Sequence, residues 1–412
     1  MTESTTPPHA TRNFILNVLD GGIFFFGLSM VSRYTVLPLF IERLSGERWM
    51  QGLIPTMTYA GWFLPGLFIA PFVLARPRRL PFLLIATAIE RLPLLLLGLL
   101  LVLRPDAPTA TLLVAFLLLY IVHAFAAGVA GIPWQDFISR IIDQKRWGIF
   151  FGAQSGLGGL LGIGGAAIAT VVLATQPFPQ SVGYLALGCF VAMVISFGFL
   201  ANTIETPREP PPRQSFGTFL RGVLPLLRRD ERFRRYLLSR AAIALGLIGH
   251  SFVTAAALER FALPDRDVGI FTGALLAAQA LANVGLGALA DRWGHKQVLE
   301  VSTVIGALAM VITIFAPAPV WILLAFVLVG AAQAGVMLTG FTLVFSYSQP
   351  EDRAAYIGVA NTALAPVVSL GPLMAGVFAQ AAGYNALFVV LIAIALAGLA
   401  MLHWRVPDPP RM

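Results

Sequence analysis

One cysteine, Cys189, stands in 412 residues, which excludes an intrachain disulfide and a thiolate metal cluster. Charge is scarce as well. Charged residues make up 12% of the chain against 58% hydrophobic residues, and no water-soluble globule of this length can hide that much apolar surface. The bilayer is therefore the solvent. There is no Gly-x4-Gly-Lys-Ser/Thr loop to cradle phosphates, no His-Glu-x-x-His and no Cys-x-x-Cys. An ATP-driven pump, a zinc hydrolase and a dithiol redox protein fall away together, and no enzyme activity, cofactor or metal site is expected. A cleavable signal is not expected either, because residues 1–12 are polar and the first apolar run is long enough to span.

A spanning helix needs ~20 mostly apolar residues, since its backbone polar groups must be satisfied internally in hydrocarbon. Twelve segments qualify, over residues 15–41, 50–74, 80–103, 110–131, 148–173 and 181–203, then over 237–258, 267–290, 297–316, 319–344, 354–379 and 384–404. The expected fold class is an all-α membrane protein with twelve transmembrane helices in two pseudo-symmetric six-helix bundles. These occupy residues 15–204 and 237–404, with a linker at 205–236 and tails at 1–14 and 405–412. Cytoplasmic loops carry the excess of Lys and Arg. With the N-terminus inside, 20 of the 28 basic residues fall in cytoplasmic segments, 5 in external ones and 3 within spans, so both termini are expected in the cytoplasm. The formal charge of +8 is then a topology signal, and nucleic acid is not an expected partner.

Eight of those 20 charges belong to the linker, which opens with Pro207, Pro210, Pro211 and Pro212 and ends in the run Arg228 to Arg235. Phe216, Phe219, Leu220, Val223, Leu224 and Leu227 recur at helical spacing between them. Two readings stay open: an amphipathic helix on anionic headgroups, or a plain positive-inside determinant.

Between the eighth and ninth spans the chain reads Gly287-Ala-Leu-Ala-Asp-Arg-Trp-Gly-His-Lys296. Gly287, Leu289, Ala290, Asp291, Arg292, Gly294 and Lys296, with His295 at a usually basic position, resemble the signature loop of the major facilitator superfamily of secondary transporters. That resemblance implies two bundles rocking about a midplane substrate site, with a small-molecule substrate and protons as partners and a monomer sufficient. The halves echo one another: Asp143-Gln-Lys-Arg146 before Phe150-Phe-Gly152 recurs as Glu351-Asp-Arg353 before Tyr356-Ile-Gly358. Gly371-Pro372-Leu-Met-Ala-Gly376 resembles a Gly-Pro element of the family, and Gly158 to Gly165 is its counterpart, with Ile163 where the antiporter version carries Pro. Tight helix packing is the expected role of these glycines.

The repeat is broken at the first-half copy of the signature loop, where Leu74 takes the acidic position, Pro77 the second Gly, and only the basic pair Arg78 and Arg79 survives. In the family the acid faces the N-terminus of a helix in the other half, where unpaired amides favour an anion. By that resemblance Asp291 faces the start of the fifth span, near Arg146, and the inner gate is one-sided. Thr35-Val-Leu-Pro38 resembles an element of the drug/proton antiporter group. The fourth span departs from that group, having no Arg between Leu112 and Gln135, and Ile204-Glu-Thr-Pro-Arg208 is only a partial echo of the sugar-porter tail.

Ionisable groups within spans usually face the bundle interior. Asp20 lies ~8 Å into the first span and Arg33 ~27 Å, at ~1.5 Å per residue. Glu90 and Arg91, adjacent near the middle of the third span, are expected to point apart and to need separate partners. Asp20, Glu90 and His250 are the proton-coupling candidates. Asn17, Ser29, Ser32, Arg33, His123, Ser251, Thr254, Gln333, Thr339 and Thr342 are the candidates for a sparsely polar cavity, which suits an apolar or amphipathic solute. Proton-coupled efflux is the expected function. An ion-independent facilitator, an uptake symporter and a transporter-like sensor or scaffold are the alternatives.

Overall fold

The computed structural model describes residues 9–74, 76–143, 146–207, 225, 228–347 and 353–407. The side chains of Asp291, Leu74 and Thr342, the proline-rich and amphipathic parts of the linker, and Glu351-Asp352 lie outside the described residues. All regular structure among the described residues is helical. Its order is α1 (Ala10–Met30), α2 (Val36–Ser45), α3 (Arg48–Gln51), α4 (Leu53–Leu74), α5 (Leu80–Leu103), α6 (Thr109–Ile141), α7 (Trp147–Thr175) and α8 (Gln180–Ala201). After the linker come α9 (Glu231–Leu247), a 3-10 turn (Ile248–Phe252), α10 (Val253–Phe261), α11 (Asp265–Trp293), α12 (His295–Phe315), α13 (Pro319–Ser346) and α14 (Arg353–Arg405). Gly383, with φ 83°, interrupts α14, so this stretch holds the eleventh and twelfth spans. Among the described residues ten stretches, this one included, are long and apolar enough to cross a membrane.

The first span is broken where the sequence suggests one continuous helix. Pro38 has no N–H to give the carbonyl of Tyr34 four residues earlier, and its ring crowds that carbonyl. The chain kinks through Val31–Thr35 between α1 and α2, with Leu37 N–H reaching back to Ser32 O at 3.0 Å. The released Tyr34 carbonyl accepts instead from the Thr254 hydroxyl at 2.6 Å, which is how proline is accommodated in a membrane helix. In the fourth span Pro133 does not end the helix: α6 runs on to Ile141, ten residues beyond the expected boundary.

The chain divides into two compact units, Met1–Val31 with Gly61–Phe216, and Ser32–Ala60 with Gly217–Met412. In the first, α1 packs on α7 and α8, and α5 packs on α6 and α8. In the second, α9 lies along α14, and α13 lies between α11 and α12. The α2–α3 segment is fastened into this second unit by Arg43 to Asp265 at 2.5 Å and by Arg48, whose guanidinium grips Glu259 with two bonds of 2.6 and 2.9 Å. Backbones meet closely there. A Cβ on Gly376 would stand 2.6 Å from the Trp49 carbonyl, so the Gly-Pro element of the eleventh span is a packing face.

Candidate functional site

The first unit holds an ionic cluster in its interior. Asp20 on α1, Glu90 and Arg91 on α5, and Ser196 on α8 are all buried, with Asp20 only 6% exposed and Glu90 and Arg91 4% each. Asp20 and Glu90 each follow ten residues of their own helix, ~15 Å of rise. The Ser196 hydroxyl donates to Asp20 Oδ1 at 2.6 Å. Arg91 donates through Nε to the Met193 carbonyl at 2.7 Å and through Nη1 to the Thr87 carbonyl at 2.6 Å, while Nη2 reaches Ser196 Oγ at 3.5 Å. The expectation that Glu90 and Arg91 cannot meet is corrected: Arg91 Nη1 lies 3.7 Å from Glu90 Oε2. The guanidinium stem is long enough to fold back along its own helix, though at that distance the contact is an ion pair rather than a hydrogen bond. His123 on α6 joins the cluster through its Nδ1, 2.8 Å from the Glu90 backbone carbonyl. A carbonyl only accepts, so Nδ1 carries the proton and the neutral ring has the Nδ1–H tautomer. Cys189 is buried and free.

Asn17 and Ser29, expected as cavity lining, are packed within this unit. The Asn17 amide donates to Asn13 O at 2.8 Å and to Thr203 Oγ1 at 3.2 Å, and Ser29 donates to Phe26 O at 2.7 Å. At the end of the unit nearest the linker stands a second ionic group, one that no residue pattern announces. Glu205 accepts from the backbone amides of Arg79 and Leu80 at 2.8 to 2.9 Å, capping the N-terminus of α5. The Arg79 side chain is fully buried; its Nε donates to Asp136 at 2.6 Å, and Arg140 donates to the same oxygen at 2.9 Å. Arg79, one of the basic pair surviving from the broken loop, thus meets Asp136 through its side chain and Glu205 through its backbone, 57 and 126 residues away in the chain. Arg146 is exposed and stacks its guanidinium 5.1 Å from the Phe14 ring.

In the second unit the signature loop is the tight junction of α11 and α12. Gly294 has φ 102°, a backbone conformation that side chains disfavour, and its N–H closes on Ala290 O at 2.9 Å. Lys296 is buried and donates to the carbonyls of Val406 at 2.7 Å and His403 at 3.3 Å, capping the end of α14. Arg292 is exposed, and Gly287 stands in open space. Asp291 falls in the last turn of α11.

The other candidates separate. His250 is buried in the 3-10 turn with Nε2 3.1 Å from Gly306 O. Thr254 and Thr339 are buried and bonded to backbone carbonyls. Gln333 Nε2 is buried and has no hydrogen-bond partner among the described residues. Arg33 and Ser251 come together beside Tyr34 and Tyr59. The Arg33 guanidinium lies 4.9 and 5.8 Å from the centres of those two rings. The Ser32 carbonyl holds the kink.

The comparisons with known proteins agree with this architecture. Residues 248–412 match the family model of the Major Facilitator Superfamily. Among curated proteins none matches the chain by sequence. Among solved structures, a mutant of the nucleoside transporter NupG superposes with a TM-score of 0.74 at 14% identity, covering 96% of this chain and 98% of that one. A D-xylose-proton symporter gives 0.72 at 15%, over 98% and 99%. A bacterial homologue of the iron transporter ferroportin, in an inward-facing state, gives 0.68 at 15%, over 95% and 98%. Residues 248–412 match the Major Facilitator Superfamily model, and the whole chain has the all-helical fold of these solved transporter structures.

Proposed function

We propose that this chain is a secondary transporter of the cytoplasmic membrane that expels a small amphipathic solute in exchange for a proton, by alternating access of its two halves. The observation that carries the proton is the charge count of the buried cluster. Two carboxylates, Asp20 and Glu90, stand with one guanidinium, Arg91, when the His123 imidazole is counted in its uncharged form. One negative charge is left over in a site shielded from water, where an unbalanced ion costs several kcal/mol. A single proton on either carboxyl removes the imbalance. Asp20 is the first choice as carrier because it sits on the first span, a helix that lines the substrate path by resemblance, and Glu90 is the second.

A specific feature favours a second reading, in which the chain is an ion-independent facilitator. Arg91 gives two of its donors to backbone carbonyls of α5 and α8, as an interhelical tie would. The two readings part in proteoliposomes: an imposed pH gradient should drive solute accumulation by the wild type and none by Asp20→Asn. Under the facilitator reading both proteins equilibrate solute equally, with or without the gradient.

A further inference from the structure

Five of the eight basic residues of the linker crowd between Arg228 and Arg235, at the start of α9. The two acids among them are occupied. Asp230 accepts from the Phe233 amide at 2.9 Å and from the Tyr356 hydroxyl at 2.7 Å, and Glu231 is shared by Arg235 at 2.8 Å and Arg234 at 3.8 Å. Arg228, Arg229 and Arg232 are exposed and have no carboxylate partner among the described residues. Helix electrostatics does not call for them there, because the first turn carries the positive end of the dipole. Phe233, Tyr236 and Leu237 point inward from the same turns and share one core with Leu402 and Val406 at the close of α14. Trp404 and Arg405, both exposed, therefore stand at the same end. Each helix then turns apolar on its outer face. Leu238, 55% exposed, follows Arg235 by one turn on α9, and Leu396, 44% exposed, precedes the 79% exposed Trp404 by about two turns on α14.

We propose that this end of the second unit, made by the start of α9 and the close of α14, is a docking surface for anionic phospholipids. The guanidinium groups of Arg228, Arg229, Arg232 and Arg405 bind phosphodiester oxygens through paired N–H donors, and the acyl chains run along Leu238 and Leu396. Trp404 lies between them, at the level where an amphipathic ring is favoured. A basic face made only for water would be bounded by polar side chains, and this one is bounded by exposed leucine and tryptophan. A plain orientation signal needs the charges but no choice among lipids, so lipid preference separates the two readings of the linker. The proposal rests on the chain's place in a bilayer and not on proton coupling at Asp20.

The test places the full chain in nanodiscs of phosphatidylcholine and phosphatidylglycerol in equal parts, extracts it into detergent, and measures the retained lipids by mass spectrometry. Phosphatidylglycerol should be retained in preference to phosphatidylcholine, and salt at about 0.5 M should weaken that preference. An arginine at an anionic surface is worth about fivefold in affinity, so Arg232→Gln should lower the preference by about that factor. Replacing Arg228, Arg229, Arg232 and Arg405 together by Gln should abolish it, and replacing the same four by Lys should keep most of it. Asp20→Asn should retain phosphatidylglycerol as the wild type does. A measurement on the unmodified chain guards against misfolded variants. Phosphatidylglycerol nanodiscs, compared with phosphatidylcholine ones, should slow phenylglyoxal modification of Arg232 and Arg405 more than that of Arg104 and Arg266, exposed arginines of other loops. The proposal is overturned if the wild type retains both lipids alike, if all four arginines are slowed equally or none is, or if the folded four-glutamine variant keeps the preference.

Discussion

Replacing Arg91 by methionine tests the charge balance directly, because the side chain keeps much of its length and loses its charge. The cluster then holds two carboxylates and no cation. At 3.7 Å the attraction between Arg91 and Glu90 is about 4 kcal/mol for an effective dielectric of ~20. Breaking a buried pair by removing one partner typically costs ~3 to 5 kcal/mol, since the other charge is left uncompensated. Arg91→Met should therefore lower the thermal midpoint of the detergent-purified protein sharply at pH 8. Much of the loss should return at pH 5, because a protonated carboxyl has no charge to leave uncompensated. The double variant Asp20→Asn with Arg91→Met restores the wild-type surplus of one negative charge, and it should be more stable than Arg91→Met alone at pH 8. An Arg91→Met protein equally destabilised at both pH values, and not relieved by Asp20→Asn, would show that Arg91 acts only through its bonds to the Thr87 and Met193 carbonyls.

Further outcomes follow from the other contacts. Glu205→Gln weakens the cap on α5, and with charged hydrogen bonds worth ~1.5 to 3 kcal/mol the amides of Arg79 and Leu80 should exchange hydrogen roughly tenfold to a hundredfold faster; unchanged exchange would contradict the cap. Lys296→Met should fray the end of α14, seen as faster proteolysis after His403 with the rest of the fold intact. Arg48→Glu should lower stability and the swap with Glu259→Arg should recover it; because both side chains are partly exposed the effect is below ~1 kcal/mol, and no recovery would mean that the pair is incidental. For topology, single cysteines at Gln214 and Gln180 in a Cys189→Ala background should label with an impermeant reagent from the cytoplasm and from outside respectively, and the reverse pattern would invert the orientation.

What the sequence could reveal was set by the range of the interactions involved. The spans were legible because membrane helices declare themselves through consecutive apolar residues, and the α11–α12 junction because Gly294 and its neighbours form one short string. Proline was the main source of error at short range. The fourth span, expected to end at 131, runs through Pro133 to the end of α6, and Pro38 breaks the first span through a carbonyl whose new donor, Thr254, is 220 residues away. Asp20 and Glu90 stood out as acids in hydrocarbon, but nothing local tied them to Ser196 or to each other. Glu205 was harder still, since an acid just after a span is common and its partners, the Arg79 and Leu80 amides, are backbone groups that leave no trace in a residue pattern.

The central claim is that a proton is exchanged for the solute through the Asp20 cluster. Proteoliposomes loaded with a pH-sensitive dye report this without a prior choice of gradient: a panel of amphipathic solutes is added outside and the internal pH is followed. A coupled transporter gives a solute-evoked pH change in the wild type that disappears in Asp20→Asn, while exchange of labelled for unlabelled solute persists in the variant. A pH change of undiminished size in both Asp20→Asn and Glu90→Gln, or solute flux in the wild type with no pH change at all, would contradict it.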